Sequence, residues 1–141
     1  MTPVKLNDLR EGSDLPGIKK DIKQERVNQY AEASGDFNPI HLDEEFARNT
    51  PAGGRIAHGM LILAYASEMM TAAFDRNWLT GGKLNVRFKI PARPGDTITV
   101  SGKVTKLEKN EENTLIYCAI LCTNQDGETV ITGDATVTIK N

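Results

Sequence analysis

Residues 59–76 (GMLILAYASEMMTAAFDR) have the length of a helix but are apolar nearly all round. A helix of that kind is buried on most of its sides, so the rest of the chain has to supply its cover. The sequence that follows suits that task. Leu84, Val86, Phe88 and Ile90 alternate with Asn85, Arg87 and Lys89, the period of two that marks a half-buried strand. Pro94-Gly95 signals a turn at 91–96, and Ile98, Val100, Gly102 and Val104 then alternate again. After a polar turn at 109–113, residues 115–123 are apolar on both faces, as a central strand is. Asp126-Gly127 signals a hairpin, and 130–139 closes the run. One long buried helix and four antiparallel strands predict an α+β fold. Two arrangements meet this pattern: a sheet curled around the helix, or a sandwich with the helix at its edge. The all-round apolar character favours the curled form.

Ahead of the long helix the chain is more broken. Residues 15–22 read as a short irregular strand. Val27, Tyr30, Ala31 and Ser34 fall on one face of a short helix that Gly35 ends. Residues 36–41 (DFNPIH) read as a tight connection, because Pro39 pushes Asn38 out of the helical region. Asp43 is a suitable cap for a further short helix over 43–49, and 50–54 (TPAGG) is a loop.

A length of 141 residues predicts a single domain over 1–141, long enough to bury a core. With 17 Lys and Arg against 19 Asp and Glu, the chain lacks the basic excess that phosphate backbones demand, so nucleic acid is not an expected partner. No stretch reaches the ~20 apolar residues that span a bilayer, so no membrane partner is expected either. The polar start at 1–11 does not read as a signal peptide, which makes the expected location cytoplasmic. Cys118 and Cys122 are four apart within one predicted strand, roughly 13 Å at about 3.3 Å per residue. A disulfide needs Cα atoms within about 7 Å, so the two read as small buried apolar residues.

The candidate chemistry gathers before the long helix. The chain has two histidines, His41 in SGDFNPIHLD and His58 in IAHGM. Taken singly, Asp36 is a turn residue that caps backbone N–H groups, and His41 is a surface residue beside a proline. Taken together, Asp36 and His41 lie on an irregular segment next to the helix that Gly59 opens. The first N–H groups of that helix have no partners within it, and a helix N-terminus favours negative charge. Acid, base and oxyanion donor therefore fall close together. The histidines carry no flanking ligand cluster, so neither a metal nor a cofactor is expected. Arg87 and Lys89 share the polar face of their strand, with Arg93 in the next turn. These three suit an anionic carrier, and they suit equally an ordinary solvated face.

The segments SGDFNPIHLDEEFA (34–47), RIAHGML (55–61) and NVRFKIPARPGD (85–96) resemble the MaoC-like hydratase/dehydratase family. The resemblance runs from about Val27 to the final strand. It implies the hotdog fold, an antiparallel sheet wrapped around one long buried helix, and a homodimer whose two sheets join side by side. The implied activity is that of an R-specific enoyl-CoA hydratase or (3R)-hydroxyacyl-thioester dehydratase, acting on an acyl-CoA or acyl-carrier-protein thioester. The family's catalytic pair falls on Asp36 and His41, its active-site asparagine on Asn38 and its oxyanion N–H on Gly59. Substrate contacts are implied for the loop of Ala52, Gly53 and Gly54, and for His58. Arg87, Lys89 and Arg93 would meet the carrier. Ala52 and Arg55 stand where family members often carry an aromatic residue and a proline, which leaves acyl size open. His41 is favoured as the base on water and Asp36, once buried, as the group acting at C2, with the reverse assignment also possible. Other roles compatible with the fold are a hotdog thioesterase and a non-catalytic acyl-binding or partner subunit of a heteromeric dehydratase.

Overall fold

In the computed structural model, strand β1 (Ile18–Asp21) is followed by helix α1 (Gln24–Ser34). Residues 3–141 are described; Met1 and Thr2, at the head of the polar start, lie outside the described residues. Val27 and Ala31 are the buried residues of α1. The helix stops at Gly35, whose φ of 78° is costly for a residue with a Cβ and whose N–H donates to the Ala31 carbonyl.

The connection expected at 36–41 is partly helical. Helix α2 (Pro39–Leu42) makes one turn, and α3 (Glu44–Arg48) follows directly. Proline at the first helical position loses no hydrogen bond, because that N–H would have no partner within the helix. Asn38 caps the turn, its Oδ1 accepting from the Ile40 N–H at 3.1 Å. Asp43 caps α3 in the same way through the Phe46 N–H, as its sequence position implied.

Helix α4 (Gly59–Phe74) is the long apolar one. It ends at Asp75, whose φ of 51° turns the chain into α5 (Arg76–Gly81), a short helix where the sequence pattern had suggested none. Trp78 of α5 folds back onto α4, its Nε1 donating to Ser67 Oγ at 2.9 Å. The remaining strands are β2 (Lys83–Phe88), β3 (Thr97–Lys109), β4 (Asn113–Thr123) and β5 (Thr129–Lys140). They join β1 in one antiparallel sheet of order β1-β3-β4-β5-β2, with Ile18 opposite Val100, Ile116 opposite Val137 and Leu84 opposite Ala135.

The sheet curls around α4, which touches β1, β3, β4 and β5. Ile62, Ala66, Met69, Met70 and Ala73 pack against the inner residues Ile98, Val100, Val104, Ile116, Ile120 and Val137. Gly102 on β3 permits the closest approach, since a Cβ there would stand 2.9 Å from Met69 Cε and 2.8 Å from Leu15 Cδ1. This is the hotdog arrangement. The cover is incomplete in one respect: Met60, 57% exposed, and the exposed Ala64 and Glu68 leave one stripe of α4 open. Strand β4 is central, but its inner face alone is buried, and Leu121 on the outer face is exposed. Strand β2 lies at an edge, with Leu84 and Val86 half-buried and Phe88 52% exposed.

Cys118 and Cys122 are free and buried on the inner face of β4. Burial pushes both thiols up to about 11 from 9.0. At pH 8 the thiolate fraction is therefore about one in a thousand. A disulfide reagent at pH 8 should read no thiol in the folded chain and both after unfolding in denaturant. The thiols ionise more readily in the unfolded chain. Unfolding free energy should therefore fall as pH rises from 9.0 toward about 11, which urea titrations at stepped pH would measure.

Candidate active site

Three short elements place the acid–base groups. Asp36 lies in the connection after α1, His41 on α2, and His58 is the residue that precedes α4. Two backbone carbonyls then fix the position of one N–H on each ring. His41 Nδ1 lies 2.8 Å from the Ile56 carbonyl and His58 Nε2 lies 3.0 Å from the Asp36 carbonyl. A carbonyl only accepts, so His41 carries an N–H at Nδ1 and His58 carries one at Nε2. The other nitrogen of His41, Nε2, points toward Asp36, 3.8 Å from its Oδ2. This gap is too long for a direct hydrogen bond. It suits a water about 2.8 Å from each atom, lying off the line between them.

The Asp36 carboxylate is held by its own neighbourhood. The Asn38 N–H donates to its Oδ1 at 3.2 Å. Asn38 thus orients Asp36 through its backbone, while its side-chain oxygen is committed to the α2 cap. The burial expected for Asp36 is absent in the single chain, where its side chain is 52% exposed. The reason is local: Asp36 follows the Gly35 terminus and no element packs over it. His41 is buried, and Gln24 Nε2 donates to its carbonyl at 2.8 Å.

His41 and Gly59 line one cavity of about 320 Å³. Its walls are otherwise largely apolar: Ile56, Ala57, Ile62, Ile90, Ala92 and Val130 among them, with Phe88 from β2. The sequence offered no signal for these residues beyond general strand and helix patterning. Gly59 begins α4, where the first N–H groups have no partner within the helix and His58 provides no side-chain cap. A Cβ at Gly59 would stand 3.0 Å from Phe88 Cε1, so the absence of a side chain lets the ring close over the helix start.

The other expected substrate contacts separate. Lys89 lines this cavity, beyond the end of β2, with its N–H on the Val130 carbonyl. Arg87 instead lines a groove on the outer face of the sheet, because it alternates with the inward Val86 and Phe88. The shared strand face expected for Arg87 and Lys89 is therefore absent. The Arg93 guanidinium donates to the Ala52 carbonyl, which ties the 50–54 loop to the turn at 91–96. Ala52, Gly53, Gly54 and Arg93 do not line the cavity. Nor does His58, which is 2% exposed and stacked behind His41.

Asp36, His41 and His58 bring one donor atom each within 4.8 Å of one another, closer than their sequence separation had suggested. They do not fit an ion as they stand. The two imidazole rings are stacked at 3.8 Å, so their free lone pairs lie in nearly parallel planes and do not meet at one point.

The chain thus combines a hotdog fold with an Asp–His pair near the uncapped N-terminus of its central helix, beside an apolar cavity. The sequence profile of the family described as "MaoC like domain" matches residues 11–120, and the chain belongs to that family. It is 34% identical to the 3-hydroxybutyryl-CoA dehydratase of Methylorubrum extorquens, over 86% of this chain and 76% of that protein. It is 33% identical to an (R)-specific enoyl-CoA hydratase of Rhodospirillum rubrum, over 95% of this chain and 90% of that protein. The solved structure of the (R)-hydratase from A. caviae superposes with a TM-score of 0.79 at 28% identity, covering 92% of this chain and 96% of that one.

The capping role of Asn38 has a direct check. Asn38→Ala should cost about 1 kcal/mol of unfolding free energy in urea titration. An unchanged midpoint would mean that the side chain does not cap α2.

Proposed function

We propose that this chain catalyses the reversible syn addition of water to a trans-2-enoyl thioester, giving the (3R)-hydroxyacyl thioester. One observation carries the reading: the bond to the Ile56 carbonyl places the N–H of His41 at Nδ1 and turns Nε2 toward Asp36, at the edge of an apolar cavity that Gly59 also lines. The names of the enoyl-CoA hydratase and 3-hydroxybutyryl-CoA dehydratase relatives support it.

In this mechanism the water lies between His41 Nε2 and Asp36 Oδ2, each accepting one of its hydrogens. His41 takes one water proton as the oxygen bonds to C3. The C2–C3 π electrons move toward the thioester oxygen, where the Gly59 N–H and the α4 dipole stabilise the enolate. A donor of that kind is worth about 2.7–4 kcal/mol of barrier. C2 then takes a proton on the same face from the Asp36–His41 pair, which ends the turnover with the protons it began with. The apolar walls hold the acyl chain, and Lys89 meets the anionic carrier, coenzyme A or an acyl carrier protein.

Hydration of crotonyl-CoA, followed as loss of the conjugated enoyl absorbance, tests this reading. The parent should be active with a (3R) product, and Asp36→Asn and His41→Ala should each lower kcat by about 100-fold or more. Release of free thiol in place of hydration would reassign the chain to thioester hydrolysis. Inactivity on CoA-bound and carrier-bound enoyl chains alike would overturn the reading.

The assembly proposed with this function is a homodimer joined through the free edge of β2. An edge strand carrying the exposed Phe88 has unpaired backbone groups and apolar surface to cover. Light scattering on a sizing column should return twice the 15.5 kDa chain mass, with slow amide exchange along 83–88; a monomer would refute it.

A further inference from the structure

We propose that His58 is a positioning residue for the Asp36–His41 pair, acting through the backbone of one and the ring of the other. This inference rests on the hydration reading and assigns no substrate contact to His58. Its geometry is specific. The Nε2–H of His58 donates to the Asp36 carbonyl at 3.0 Å, across 22 residues of sequence. The face of the same ring lies on His41, with centroids 3.8 Å apart and planes 27° apart. Tyr30 of α1 packs on the same ring, tilted at 55° with its centroid 4.8 Å away. One buried imidazole therefore joins α1, the Asp36 connection, α2 and the start of α4.

Each contact constrains a different degree of freedom. The bond to the Asp36 carbonyl fixes the backbone from which the carboxylate projects. The stack stops the His41 ring from turning about its Cβ–Cγ bond, a turn that would take Nδ1 off the Ile56 carbonyl and Nε2 away from Asp36. The two rings thus present their bonded N–H groups from opposite nitrogens, Nδ1 at His41 and Nε2 at His58. The remaining nitrogen of His58, Nδ1, is buried and has no hydrogen-bond partner among the described residues. A buried polar atom without a partner is costly, and a wholly apolar ring in its place would avoid that cost. The imidazole meets a requirement that such a ring does not: a flat face for His41 together with an in-plane N–H for Asp36.

Three variants separate the two contacts. His58→Gln keeps an N–H that reaches the Nε2 position but loses the ring. His58→Phe keeps a flat ring but loses the donor. His58→Leu loses both. With only two histidines in the chain, imidazole nitrogen spectra of these variants report His41 alone. The wild type should show one Nδ1–H and one Nε2–H tautomer. His58→Leu should show His41 as a mixture, and His58→Phe should keep the Nδ1–H form. In crotonyl-CoA hydration, His58→Phe and His58→Leu should lose about 10- to 100-fold in kcat, the scale of a reacting group displaced by about 1 Å. KM should stay within about threefold, and His58→Gln, which keeps the donor but loses the stack, should recover only part of the loss seen in His58→Leu. Urea titrations confirm that each variant is folded at the assay temperature. Equal kcat losses in all three variants, or a KM effect larger than the kcat effect, would overturn the proposal. A wild type inert toward enoyl thioesters would refute the hydration reading instead. The spectra then still decide whether His58 orders His41, since an unchanged tautomer in His58→Leu refutes that directly.

Discussion

The enclosure of α4 by a single curled sheet is the constraint on which the other features depend. The helix presents Ile62, Ala66, Met69, Met70 and Ala73 to the inner face of the sheet, and all five are completely or almost completely buried. Burying apolar area on this scale is the dominant favourable term of the fold. It also fixes where the helix begins. The start of α4 cannot slide along the sheet without withdrawing those side chains, so Gly59, His58 and the backbone of 56–57 are held at one height. The residues that gather there inherit their precision from the core.

Against that frame the polar groups are arranged by simple donor and acceptor accounting. Buried imidazoles need partners, and the partners available at the α4 start are carbonyls. Carbonyls accept, so each histidine is obliged to present an N–H toward one. The outcome is a pair of tautomers that leaves His41 Nε2 facing Asp36. Asp36 itself is positioned by a backbone donor and a side-chain donor: the Asn38 N–H at its Oδ1 and the His58 ring at its carbonyl. The proline that starts α2 and the asparagine that caps it hold Asp36 and His41 close together in the chain and in space.

Much of this was legible in one dimension where a local rule and a global need agreed. The apolar run of α4, the alternation of β3 and β5, the glycine ending α1 and the Asp43 cap each follow from spacing that has one physical solution. The spacing from Asp36 to His41 and the Ala57-His58-Gly59 segment before the helix marked the region of the site. Other features were hidden because they depend on contacts between distant segments. Helix α5 exists because Asp75 reverses the chain and Trp78 finds Ser67, and nothing in residues 76–81 alone signals a helix. Arg87 and Lys89 are two apart, which in a continued strand is one face, but β2 ends between them and they diverge. Arg93 reads as a free cation until its guanidinium is found on the Ala52 carbonyl.

The sequence by itself determined the elements and the kind of chemistry. Periodicity reports which faces must be buried, and an Asp, a His and a glycine-opened helix are enough to supply base, acid and oxyanion donor. Only the tertiary structure decided how these groups face one another. Which nitrogen of His41 is free depends on the Ile56 carbonyl, 15 residues away, and what stands behind that ring is a second histidine from another element. Tautomer, exposure and orientation are properties of an environment assembled from several segments. They come into being when the sheet closes around its helix, and no single stretch of residues carries them.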